Sequence, residues 1–416
     1  MSLNHEQQEA LQIARNGKTN VFITGGPGTG KTHTVKAIIE ALYEDSINNE
    51  VVAPTGCAAI NINGSTIHSI FGLKPKPINR NEIDKICRSI PSDKKNRLRT
   101  INTLVIDEIS MVDDVLFDTL SDIMQYIKRN ANPFGGVQVI LVGDFFQLAP
   151  IENRLCFYSN SWKLLELNYI ELKQPMRQMH DEPFIKILNK LRVGKMTKKI
   201  FDTLSSLSNT KFEDKDIIPT KLYSTNKYVD IINDTNLNKL VESGNEPFTY
   251  KVDTTMVPEH FRSMLDKDLI LCKNAQIMVT RNITELNLVN GSRGYVTDLG
   301  EDFVEIITRD GDKQRIEFIE SSLYIKKVKP DGTINYVEYK YRFMPLRLAY
   351  AITIHKSQGM TLDCAEIDFS NMFAPGQAYT ALSRVRSLSD VKITGLKNNS
   401  FKCNKDVIEF YENYKK

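Results

Sequence analysis

The stretch "GGPGTGKT" matches G-x-x-x-x-G-K-[ST] at Gly25, Gly30, Lys31 and Thr32. In such a loop the backbone of Gly26, Pro27, Gly28, Thr29 and Gly30 wraps phosphates, and Lys31, Thr32 and His33 open the helix whose dipole favours anions. Lys31 would reach the β and γ phosphates, and the Thr32 hydroxyl would ligate Mg²⁺. Further on, "INTLVIDEISMVDD" carries an adjacent carboxylate pair, Asp107 and Glu108. Asp107 suits Mg²⁺, directly or through water, and Glu108 suits a general base for an attacking water. In "GGVQVILVGDFFQLAP", Gln147 can sense a γ-phosphate or orient that water. The chemistry these residues imply is cleavage of a nucleoside triphosphate with Mg²⁺.

Each group needs an element to aim it. "NVFITG" reads as a short buried strand, and "THTVKAIIEALYE" as a helix with Val35, Ile38, Ile39 and Leu42 on one face. "TLVID" and Val137 to Val142 read as further strands. Carboxylates at the carboxyl end of parallel strands open into the ligand crevice of an α/β sheet. Phosphate loops serve switches, kinases and motors alike, so this fold alone names no job.

Composition narrows the class modestly. The chain has 416 residues, enough for two to four domains, with 41% apolar and 25% charged residues. A net charge of +3 does not announce a nucleic-acid binder, although a local basic groove is invisible in that sum. The six cysteines form no C-x-x-C pair, which fits a reducing compartment better than a disulfide framework or a zinc site. The polar start "MSLNHEQQEA" is no signal peptide, and no apolar run reaches the ~18 residues of a membrane span. An intracellular, soluble protein of cytoplasm or nucleus, with no membrane partner, is expected.

Longer motifs carry a resemblance. "VVAPTGCAAININGSTIHSIFGL", "NPFGGVQVILVGDFFQLAPI", "LAYAITIHKSQGMTLD" and "PGQAYTALSRVRS" occur in the order and spacing of superfamily-one helicases. They resemble the Pif1 family in particular, and its RecD-like branch, over most of the chain from Leu3 to about Leu388. That resemblance implies an ATP-dependent DNA helicase that moves 5′ to 3′ on single-stranded DNA and unwinds duplex or structured DNA in replication, repair, recombination or telomere maintenance. It implies two RecA-like domains holding ATP in a cleft. "LNHEQQEA" resembles a glutamine motif that reads adenine; the spacing selects Gln7, and the distance to the phosphate loop also allows Gln8. Arg177 in "LKQPMRQ" and Arg384 in "ALSRVRS" resemble the arginines of the fourth and sixth motifs, which touch the γ-phosphate from the second RecA-like domain. Met176 stands where the family has an aromatic residue.

The same resemblance implies DNA contacts at Pro54, Thr55, Gly56 and His68, at Thr225 and Asn226, and at His355, Lys356, Ser357 and Gln358. Hydroxyls, a lysine and backbone N–H groups suit phosphates without reading sequence. The partners implied are single-stranded DNA and single-strand/duplex junctions, with G-quadruplexes and RNA–DNA hybrids left open, bound by a monomer. Residues 70–100 are basic and Pro-rich and read either as a wedge-like insertion, with Phe71 or Leu73 as the residue that presses on a base pair, or as a solvated loop with a short helix.

The fold expected is α/β, with two RecA-like phosphate-loop domains of parallel sheets and a small inserted β-barrel resembling Src-homology-three domains. The boundaries expected are 1–172 for the first motor domain, 173–245 and 343–416 for the second, and 246–342 for the barrel. Short alternating runs such as "RGYVTDL" and "FVEIIT", with turn signals between them, mark that barrel. The rival is a non-motor ATPase that binds nucleic acid. A GTPase would want N-K-x-D, and "TNKYVD" lacks that order.

Overall fold

The structure is a computed structural model. It describes residues 3–62, 64–73, 78, 83–150, 154–178, 181–212, 218–259, 262, 267–281, 283–286, 288, 291–308, 311–328, 334–362 and 364–414. Packing divides the chain into two compact units. The first comprises 1–201, 372–387 and 397–416; the second comprises 202–371 and 388–396.

The first unit is built on a six-stranded parallel sheet with strands β1 (Asn20–Gly25), β2 (Asn49–Ala53), β3 (Ser65–Thr66), β4 (Thr103–Ile106), β5 (Gln138–Val142) and β6 (Leu167–Leu172), in the order β3-β2-β4-β5-β1-β6. Strands β4 and β5 are buried at every position, and β1 at all but its first. Such continuous apolar runs are what central parallel strands covered on both faces require. Helix α1 (His5–Arg15) is held by a reciprocal cap, Asn4 accepting from Gln7 N while the Gln7 side chain accepts from Asn4 N. Helix α2 (Lys31–Glu44) buries Val35, Ile38 and Leu42 in one cluster with Val21, Ile23, Val105 and Ile140.

The chain's last helix, Lys405–Tyr414, also belongs to this unit. Phe410 stacks on Phe157 at 4.3 Å and lies within 6.1 Å of Phe22, Phe145 and Trp162. Contact packing groups 173–201, 372–387 and 397–416 with the first unit. For the terminal helix the cause is this aromatic face, buried against Phe22 of β1 and the rings that follow β5.

The second unit holds a four-stranded parallel sheet of Ala351–Thr353, Thr220–Tyr223, Ala365–Asp368 and Val391–Thr394, in that spatial order. The fold class is thus α/β with two parallel sheets. The same unit holds a five-stranded antiparallel sheet, Lys313–Glu317, Phe303–Thr308, Arg293–Leu299, Gln276–Val279 and Leu346–Leu348. A bulge falls between Val296 and Asp298. Its last strand lies beyond the boundary expected at 342, because Leu346–Leu348 pairs with Gln276–Val279. A long two-stranded ladder, Ile319–Val328 with Ile334–Phe343, completes the region.

Within the expected insertion, the described part forms helices Ile83–Ser89 and Ser92–Thr100; residues 74–77 and 79–82 lie outside the described residues. Phe71 is fully buried in the first unit, which leaves Leu73, partly exposed, as the wedge candidate of the two.

Candidate active site

The phosphate loop joins β1 to α2, as strand-loop-helix grammar predicts. Gly28 and Gly30 have φ of 78° and 87°, a region that L side chains rarely adopt. Space forbids a side chain as well: a Cβ on Gly28 would lie 2.5 Å from Arg177 Cβ, and one on Gly30 would lie 2.5 Å from Gln7 Nε2. The loop is closed from within. Thr29 Oγ1 donates to Gly26 O, and Lys31 Nζ donates to Gly25 O at 2.7 Å and Gly26 O at 3.0 Å. Pro27 and Thr29 are buried, whereas Thr32 and His33 are exposed at the helix start.

Burial pushes the Lys31 ammonium pKa down, and the charges of Asp144, Glu108 and Asp107 oppose that shift. Asp107, at the end of β4, is buried too. Burial and then the Glu108 charge push its carboxyl up to about 7, while the Glu108 N–H and Lys31 pull it back. Glu108 stands at φ 51°, ψ 44°. A glutamate in the left-handed region is strained, and such strain concentrates at functional sites. Gln147 is buried in the turn after β5, its N–H donating to Asp144 O.

Arg177 and Arg384 both pack within the first compact unit. For Arg177 the cause is strand order. β6 pairs with β1 through Gly25↔Leu172, so the chain leaving β6 runs beside the phosphate loop, and Met176 N and Arg177 N both donate to Gly28 O. Arg384 is buried, with Nε donating to Thr380 O and Nη2 to Ser383 Oγ. Arg177 Nη1 donates to Ser383 O, and buried Gln178 ties the same segment by donating to Ser383 O and Val385 O. Burial, with Arg384 and Arg386 nearby, pushes Arg177 down to about 9; burial pushes Arg384 down to about 10, against Glu108, Tyr379 and Asp144.

Lys31 thus stands in the loop, Arg177 beside it at Gly28, and Arg384 next to Arg177 across Ser383, and cationic groups around such a loop suit a polyanion. That is the fit expected of a triphosphate. For Mg²⁺ the candidate donors would be hard oxygens, the Asp107 carboxylate and the Thr32 hydroxyl. Among the described residues no cluster of three His, Cys, Asp or Glu could hold a metal alone. A Mg²⁺ ion carried in by substrate phosphates needs no more than these two.

Of the two glutamines considered for adenine, Gln7 is buried beside the loop with Nε2 donating to Thr29 O at 3.4 Å. Gln8 is exposed and donates to Leu3 O.

A sequence model of the PIF1-like helicase family matches residues 2–201. The zebrafish ATP-dependent DNA helicase PIF1 is 34% identical over 432 residues, covering all of this chain and 64% of the relative. The Bdellovibrio bacteriovorus ATP-dependent DNA helicase Pif1 is 32% identical, covering all of this chain and 92% of the relative. The chain belongs to the PIF1-like helicase family. The crystal structure of Pif1 helicase from Bacteroides in complex with ADP-AlF3 and ssDNA matches with a TM-score of 0.73 and 32% identity, over all of this chain and 98% of that one. The chain spans just under two thirds of the length of the zebrafish relative.

The candidate DNA contacts of this PIF1-like helicase divide between the units. In the first, Pro54, Thr55 and Gly56 follow β2, with Thr55 Oγ1 accepting from Ala58 N. His68 sits half-buried in the helix Ile67–Phe71, its pKa lowered by burial. In the second, exposed Thr225 precedes the helix Asn226–Glu242; the Asn226 side chain lies outside the described residues. His355 and exposed Lys356 lie on the short helix Ile354–Ser357, and burial lowers the His355 pKa. Ser357 is buried with its hydroxyl donating to Ile354 O, and Gln358 is buried. In this turn Lys356 is therefore the outward group.

Sequence reasoning missed a set behind the loop, Arg192, Tyr411 and Thr24, which meet around Asp144 only through long-range contacts, and also Gln178, which ties the Ser383 segment. The one signal was Asp144, a carboxylate at a strand end with no role given to it.

Proposed function

We propose that the chain is an ATP-dependent DNA helicase that translocates 5′ to 3′ on single-stranded DNA and unwinds duplex or structured DNA. The observation that carries the reading is the convergence of Lys31, Arg177, Arg384, Asp107 and Glu108 on one glycine loop. Lys31 and the loop backbone bind the phosphates, with His33 and Gln7 at the nucleotide's flanks. Thr32 and Asp107 hold Mg²⁺, which supplies charge neutralisation at the phosphates. Glu108 takes the proton of the attacking water, Gln147 orients that water, and Arg177 with Arg384 stabilises the charge that develops.

The Pif1 of Bacteroides was crystallised with ssDNA and a nucleotide mimic. By that likeness the DNA contacts here are Pro54, Thr55, Gly56, His68, Thr225, Asn226 and the His355–Gln358 turn. The partner is single-stranded DNA and its junctions with duplex, bound by a monomer. Among the described residues no helix is long and apolar enough to cross a membrane.

Duplexes with a 5′ tail, a 3′ tail or no tail test this, alongside a tailed G-quadruplex and an RNA–DNA hybrid. Expected are ATP hydrolysis stimulated by single-stranded DNA and opening of the 5′-tailed duplex. Hydrolysis indifferent to DNA would leave a non-motor ATPase, and opening from a 3′ tail would overturn the polarity. The last two substrates rank the structured targets.

A further inference from the structure

Two neighbouring strands, β1 and β5, lose their ladder where the chemistry begins. The last β1–β5 pair is Ile23↔Val142, followed by one bond from Gly143 N to Ile23 O. Beyond it β1 becomes the phosphate loop and β5 becomes the turn carrying Gln147. On the other side β6 pairs Thr24↔Glu171 and Gly25↔Leu172 and then runs to Arg177. Backbone bonds still hold the β6 end to the phosphate loop, through Met176 N and Arg177 N to Gly28 O, but no longer set the spacing between the β1 and β5 ends.

Two side chains cross the gap. The Tyr411 hydroxyl lies 2.8 Å from Thr24 Oγ1, accepts from Phe145 N at 3.1 Å and reaches Asp144 Oδ1 at 3.5 Å. It thereby ties the end of β1 to the turn after β5. Arg192 forks onto Asp144, Nη2 to Oδ1 at 2.9 Å and Nε to Oδ2 at 3.4 Å. Its Nη1 reaches Glu171 Oε1 on β6 at 3.5 Å. The guanidinium also lies over the Phe146 ring at 4.6 Å and the Tyr411 ring at 5.4 Å, and Phe146 stacks on Tyr411. Asp144, Arg192 and Tyr411 are all buried or nearly so, and a planar fork held in a dry site has little freedom.

We propose that Tyr411 and Arg192 are positioning residues for the nucleotide chemistry, a clamp that fixes the strand ends bearing Lys31, Gln147 and Arg177 relative to one another. The inference rests on the proposed ATP hydrolysis for its kinetic readout. Among the described residues, no hydrogen bond of either residue reaches residues 26–31, although the Arg192 charge bears on Lys31. They act on how well the reacting groups are aligned, which sets turnover more than nucleotide affinity. The C-terminal helix is then part of the motor's chemistry and not a lid on its core.

Tyr411→Phe removes the hydroxyl and keeps the ring stacked on Phe146; Arg192→Lys keeps the charge and loses the fork. Both are compared with the parent for ATP turnover, KM, thermal midpoint and amide hydrogen exchange at Phe145 and through Gly25–Gly30. The clamp predicts kcat lower by about tenfold, KM for ATP within about twofold, an almost unchanged midpoint, and exchange faster by about tenfold at both strand ends. Parent-like exchange in Tyr411→Phe overturns the clamp whether or not the parent hydrolyses ATP. A fall in kcat that comes with a matching rise in KM and a lowered midpoint also overturns it, since a merely structural role does that. A parent without ATPase activity would refute the proposed function, and the exchange data would still decide the clamp.

Discussion

The two parallel sheets both end in loops at the carboxyl ends of their strands, and they use those ends differently. In the six-stranded sheet, Asp107 ends in a buried site with Lys31 nearby, and its carboxyl is driven up to about 7. In the four-stranded sheet, Asp368 also ends a strand, but its Oδ1 accepts from Ser370 N and closes its own turn. On the proposed function, the same residue at the same topological place is a chemical group in one unit and a turn former in the other. What separates them is company. The first sheet gathers cations around a glycine loop, and the second presents the short helix Ile354–Ser357 with Lys356 facing outward. A strand-end carboxylate signals catalysis only when a buried counter-charge and an anion-binding loop stand beside it.

The sharpest way to break this contrast is Glu108→Gln. The substitution keeps size and hydrogen bonding and removes the base. Turnover of ATP should fall by about a thousandfold while nucleotide binding, followed with a fluorescent analogue, survives. Loss of binding together with turnover would mean that Glu108 shapes the site instead of accepting a proton. A parent-like rate would remove it from the chemistry altogether.

The strand-loop-helix of 20–44 was legible because its grammar is local: an apolar strand, glycines where φ must be positive, a lysine at a helix start. The β4 end with Asp107 and Glu108 was legible for the same reason. The two arginines were legible only as motif residues, without the contacts that hold them. Motif order says nothing about whether β6 pairs with β1, and that pairing is what carries Arg177 to Gly28. The Asp144–Arg192–Tyr411 set left no signal beyond Asp144 itself, since Arg192 and Tyr411 lie 48 and 267 positions from it in sequence and meet it by packing alone. The terminal helix shows the same limit. Its Phe410 and Tyr411 read as an ordinary amphipathic face until the rings they meet, Phe157 and Phe146, are known.

The second unit's side of the comparison is tested at Lys356. An exposed lysine that neutralises one phosphate should matter for DNA and not for phosphate cleavage. Lys356→Ala should raise the single-stranded DNA concentration for half-maximal stimulation several-fold. It should lower the slope of log affinity against log salt by about 0.7. DNA-free hydrolysis should not change. A drop in DNA-free hydrolysis would show that the two sheets do not divide the work in this way.

The smallest effect concerns stability, and its sign is what matters. Asp107 has a folded pKa of about 7 against an ordinary value of 3.8. A carboxyl raised on folding binds its proton more tightly in the native state. Its stabilising contribution is therefore fully present below about pH 4 and is lost as pH rises through about 7. An amide in its place does not titrate. Without nucleotide or Mg²⁺, Asp107→Asn should melt a few degrees above the parent at pH 8, with the gain vanishing near pH 4. Saturating Mg²⁺ and ATP should cancel or reverse the gain at pH 8, since ligand binding then stabilises the parent through the carboxylate that the variant lacks. Asp368→Asn keeps the acceptor of its turn and should shift the melting temperature at pH 8 by about a degree or less. Equal gains at the two positions would erase the distinction between a carboxylate held ready for a cation and one that shapes a turn.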